Sequence, residues 1–135
     1  MNIKKLSRSE AFEKFEETEF YIKSEAVQAN FIALSVAFDF ENLPMDAKQR
    51  KLFVPAIIGS TERLLQQMKI GIEFLINAAN TSPVDMQIKD RIDELLCILA
   101  SIPSMNLGEK YLRWFFSGLG YIAEEINQLT CQCLE

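Results

Sequence analysis

The chain has 135 residues, 49 % of them apolar and 24 % charged, with a net charge of −5 and no histidine. That length suits a single helical or mixed domain, residues 1–135, able to bury a core without disulfide or metal. The missing histidine removes Ser-His-Asp and Cys-His catalysis, His-ligated zinc and Glu-x-x-His di-iron sites, and the acidic balance leaves no basic stripe for nucleic acid.

The three cysteines are an odd count. Cys131 and Cys133 point roughly 200° apart on a helix and cannot pair with good geometry. Cys97 sits in an apolar run and reads as an inert core thiol. Thiols used this way point to a reducing compartment, hence a cytoplasmic protein. The opening MNIKKLSRSE has basic residues but no apolar h-region, so it does not read as a signal peptide. No stretch is long and uninterrupted enough to span a membrane. Lys48, Arg50 and Lys51 beside Asp46 read as a solvated helix end.

In chain order, residues 1–7 read as a flexible basic tail. Ser7-Arg8-Ser9-Glu10 has the form of a capping box, in which serine satisfies a free amide and glutamate reaches back. The first helix is therefore placed over 8–40, its apolar spacing interrupted at Glu19, where a break near Phe20 would fall. Its second half, Ala26 to Phe40, is apolar at eleven of fifteen positions. A helix apolar on nearly every side is expected to be buried on nearly every side, so this one is assigned the central place. Pro44 marks the first turn and opens a second helix over 45–80. Pro55 predicts that this helix is kinked or split, because proline removes a hydrogen bond and clashes with the preceding turn. Leu64, Leu65, Met68, Ile72, Leu75, Ile76 and Ala79 form its core stripe.

Ser82 and Pro83 form a cap and a first helical position. The third helix runs over 83–102, with Val84, Ile88, Ile92, Leu95, Leu99 and Ile102 stepping by three or four. The fourth covers 106–131 and frays after Leu129. Its core stripe is read as Tyr111, Phe115, Leu119, Ile122, Ile126, Leu129 and Cys133, with Gly118 and Gly120 marking a kink or a close helix crossing. No alternating strand pattern or hairpin turn occurs. The fold class is all-α, an up-and-down bundle of four main helices around the first.

Gly118-Leu119-Gly120-Tyr121-Ile122-Ala123 matches the letters G-x-G-x-x-A, but a dinucleotide site needs a strand before it and an acid about 20 residues on. The acidic pairs, such as Glu13 with Glu16, lie on charged helix faces. No catalytic residue, metal ligand or cofactor is expected. One candidate surface stands out: Tyr111, Trp114, Gly118 and Tyr121 step by three, four and three, placing the only tryptophan and two tyrosines around a glycine. This stripe is either a shallow groove for a partner helix or loop, or an aromatic-rich core face. The leading expectation is a non-catalytic cytosolic protein–protein interaction module (adaptor, secretion chaperone, inhibitor or immunity-type antagonist). Self-association as a homodimer would cover apolar surface left over around the first helix. The alternative is a bundle holding an apolar small molecule near Pro55 and the two glycines. A small carboxylate-dependent enzyme comes third.

Overall fold

The computed structural model describes residues 6–39, 41, 45–79, 82–104 and 108–133. Among them the chain is entirely helical: α1 (Arg8–Phe15), α2 (Glu17–Ala37), α3 (Ala47–Ala78), α4 (Pro83–Ser101), a 3-10 turn (Ile102–Ser104) and α5 (Glu109–Cys133). The first five residues, the turn at 42–44, the dipeptide at 80–81 and the expected helix start at Asn106 or Leu107 lie outside the described residues.

The caps are where the sequence puts them. The Ser7 side chain accepts from the Glu10 amide at 3.2 Å, and the Glu10 carboxylate accepts from the Ser7 amide at 3.3 Å. Together they satisfy two amides at the start of α1. Ser82 and Asp85 repeat the motif at α4, and Asp46 with Gln49 at α3.

The first helix is not continuous over 8–40. It breaks at Glu16, whose backbone takes left-handed values, φ 56 and ψ 58. The Cβ of an ordinary residue makes that conformation unfavourable by about 1–2 kcal/mol, so something nearby must hold it. Phe15 and Phe20, on either side of the bend, bring their rings to 5.0 Å. Both lie over Gly71 of α3, where an added Cβ would sit 3.4 Å from Phe15. Burial of these two rings offsets the bend.

A split at Pro55 is also corrected. The proline sits inside α3, and the helix runs unbroken from Ala47 to Ala78. Phe53, Val54, Ile57 and Ile58 around it pack against the core, and that burial outweighs the roughly 3 kcal/mol an interior proline costs.

The long helices pack as neighbours: α2 against α3 and α5, α3 against α4, and α4 against α5, with α1 lying on α3 and α2. Among the described residues α2 does not approach α4 closely, nor α3 approach α5. Each long helix thus has two long neighbours, and the central place expected for the first helix is not what the structure shows. The buried residues of α2 are Phe20, Ser24, Val27, Phe31, Leu34 and Ala37. Ile22, Ile32 and Val36 stay 59 %, 55 % and 49 % exposed. Two neighbours cover only part of a helix circumference, so an all-round apolar stretch leaves one apolar side in water.

One ion pair fastens the N-terminal corner. Asp85 is fully buried and receives both guanidinium nitrogens of Arg8, at 2.5 and 2.8 Å. The Leu6 amide donates to the Ala78 carbonyl at 2.8 Å in the same corner. Arg8→Ala leaves the buried carboxylate without its guanidinium and is expected to lower stability by about 2–4 kcal/mol in urea denaturation. Glu16→Gly removes the left-handed strain and is expected to raise stability by roughly 1 kcal/mol. A loss instead would mean that Glu16 makes a contact worth more than the strain.

Candidate protein-docking face

α2 and α5 form a long antiparallel seam, held by polar clasps. The Ser35 hydroxyl donates to the Arg113 carbonyl at 3.0 Å, and Arg113 reaches Asp39 at 3.5 Å. Toward the other end of the seam, Ser24 donates to the Asn127 side-chain oxygen, and Asn127 donates to Gln28 at 2.6 Å. Beside the Ser35–Asp39 clasp, Phe38 and Phe116 stack at 5.8 Å. Gly120 is buried, and a Cβ there would lie 3.8 Å from Phe31, so this glycine marks the close approach of the two helices. Gly118 does not: a Cβ on it would meet nothing within 4 Å.

The polar positions of α2 therefore do not mark its wet side. Gln28 and Ser35 face α5, while Ile22, Ala29, Ile32 and Val36 face outward. With Glu25 these exposed positions step by three, four, three and four. That spacing puts them on one face of the helix. The signal was present in the sequence but hidden, because every apolar residue of the stretch reads alike.

On α5 the buried residues are Phe116, Leu119, Gly120, Ala123, Ile126, Leu129 and Thr130, with Phe115 and Ile122 only half-buried. The core stripe is rotated from the expected one because α5 must face α2 and α4 at once. Tyr111, expected in that stripe, is exposed. The candidate site residues all fall on the outside: Tyr111 54 %, Trp114 70 % and Tyr121 72 % exposed, with Gly118 exposed among them. Cys97, read as a core thiol, is likewise exposed on α4, and Cys131 is free and exposed on α5. The G-x-G-x-x-A letters lie wholly inside α5.

Two grooves follow the α2–α5 seam. The first, about 270 Å³, is lined by Ile32, Ser35 and Val36 of α2 and by Ser117, Gly120 and Tyr121 of α5. The second, about 300 Å³, is lined by Tyr21 and Glu25 and by Asn127, Gln128 and Cys131. Gln28 and Glu124 belong to both, so the grooves meet there. One is bordered by apolar and aromatic side chains, the other is polar and acidic. Glu25, then Cys131, push the Tyr21 phenol above its ordinary pKa, as negative surroundings should.

Charge is also sorted along α5. Lys110 lies 5.0 Å from the centre of the Tyr111 ring and Arg113 lies 5.4 Å from that of Trp114. Glu124 and Glu125 lie beyond Tyr121, with Glu125 held by Arg91 of α4 at 3.1 Å. Among the described residues no group of three or more cysteine, aspartate or glutamate side chains is placed to hold a metal ion, and no helix is long and apolar enough to cross a membrane. Comparison with protein-family models, with curated proteins and with solved structures gives no match.

The exposure of the aromatic stripe separates surface from core by experiment. Trp114→Ala is expected to change stability by no more than about 0.5 kcal/mol at sub-micromolar protein. Phe116→Ala, on the inside of the same helix, is expected to cost about 3–5 kcal/mol. Comparable losses from both, in matched urea titrations, would put Trp114 in the core.

Proposed function

We propose that the chain is a non-catalytic, cytosolic protein–protein interaction module, an up-and-down bundle of four main helices that presents its α2–α5 face to a protein partner. The observation that carries this is a set of exposed large apolar side chains: Ile32 and Val36 on α2 and Tyr121 on α5, which line a shared groove, with Trp114 exposed two helical turns before Tyr121. Leaving such side chains in water forgoes about 1.5–3 kcal/mol of burial each. Aromatic residues with a polar tip dominate the energetic centres of protein interfaces. Tyr111, Trp114, Gly118 and Tyr121 are the residues assigned to the contact, and Ile32 and Val36 join them.

The lack of histidine supports a non-catalytic role. The carboxylates near the face, Glu25, Glu124 and Glu125, are all exposed, and solvated acids make poor general acids at neutral pH. The odd number of cysteines, with exposed free thiols at Cys97 and Cys131, supports a reducing compartment. Within this class the role of adaptor, secretion chaperone, inhibitor or antagonist depends on the partner.

Site-specific photo-crosslinking in the native host tests the reading. A benzophenone amino acid is placed at Tyr121 and, in a second strain, at Leu52, which is 73 % exposed on α3 away from the seam. A discrete protein adduct from position 121 alone is the expected result. No adduct at 121, or the same adducts from both positions, would contradict it.

A further inference from the structure

The outer side of α5 is arranged evenly about its middle, with opposite charge at its two ends. Counted outward from the Ser117–Gly118 peptide, Trp114 and Tyr121 stand at equal distance, as do Tyr111 and Glu124, and Lys110 and Glu125. Except for Ser117, which is half-buried, all of these residues are exposed. The aromatics thus flank a pair of small residues, with the cation outside them at one end and the acids at the other. An antiparallel copy of the same helix presents the complement of that order.

From this we infer that the partner on the α5 part of the face is a second copy of this chain, docked antiparallel across a two-fold axis through Ser117 and Gly118. The inference rests on the docking face described above and names its occupant. A two-fold contact requires a self-complementary patch. Here Trp114 of each copy meets Tyr121 of the other, and Lys110 of each meets the acids Glu124 and Glu125 of the other. Neither Lys110 nor Glu124 has an ion-pair partner within the chain among the described residues. Gly118 has open space where a side chain would stand, which lets two helix backbones come close at the pivot.

The area is sufficient. An aromatic side chain can bury about 150–250 Å². Tyr111, Trp114 and Tyr121 from two copies, with Ile32 and Val36 beside them, approach the roughly 1,200 Å² at which specific interfaces begin.

The test uses the full chain in sedimentation equilibrium. A dimer at tens of micromolar is expected, and Gly118→Arg, at an exposed position where a Cβ meets nothing within 4 Å, should abolish it while the chain stays folded. Lys110→Glu and Glu124→Lys should each weaken the dimer by about tenfold or more, since each sets like charges against each other at positions 110 and 124 on both sides of the axis. Mixed in equal amounts, the two variants should pair with each other more tightly than either pairs with itself, because both contacts between positions 110 and 124 are then of opposite sign. Monomer only at these concentrations would overturn the inference. So would a dimer indifferent to all three substitutions, or a mixture no tighter than its parts. If the Tyr121 crosslink holds another protein and never a second copy, self-docking fails while the docking face stands.

Discussion

The α2–α5 seam is the contact on which the rest depends. Its polar clasps, Ser35 with Arg113 and Ser24 and Gln28 with Asn127, fix how the two helices lie against each other. Along the same seam Phe31, Phe38 and Phe116 are buried with little or no exposure. A buried hydrogen bond contributes only about 1 kcal/mol net, but an unmatched buried polar group costs more. The clasps therefore choose the register, and the phenylalanines supply most of the stabilisation. Once that register is set, Ile32 and Val36 on one helix and Trp114 and Tyr121 on the other can only face outward.

The helical class was legible, and so were the elements with strong local signals. Ser7 with Glu10 and Ser82 with Pro83 named two helix starts correctly, because capping is decided within four residues. The regular stripe of α4 was readable for a similar reason: Ile88, Ile92, Leu95 and Leu99 are all buried, and a helix with one apolar face has one way to pack. The failures occur where tertiary packing overrides a local preference. Glu16 has no sequence feature that announces a left-handed backbone; the bend is set by Phe15 and Phe20 closing over Gly71. Pro55 is an ordinary breaker, yet the apolar residues on both sides of it keep α3 from splitting there.

The apolar stretch of α2 misled in a more instructive way. It was expected to be buried on nearly every side, because eleven of its fifteen residues are apolar. In the structure Gln28 and Ser35 are seam residues with partners on α5, and Ile22, Ile32 and Val36 take the water. Composition cannot distinguish a buried polar contact from a solvated one. The stripe on α5 was visible as spacing, but its place inside or outside depended on which sides of α5 its neighbours occupy. Phe116 and Ala123 face inward and Tyr111 does not, a rotation that only the packing of α5 between α2 and α4 decides.

Everything proposed about function requires that the tryptophan face solvent in the isolated subunit. Trp114 is the only one in the chain, so its fluorescence reports on that surface without any substitution. The decisive measurement is acrylamide quenching of the native protein across a dilution series. At the lowest concentrations the folded chain should be quenched nearly as readily as the urea-unfolded chain, with protection growing as the protein is concentrated. Strong protection at every concentration would contradict the exposed α2–α5 face at its source.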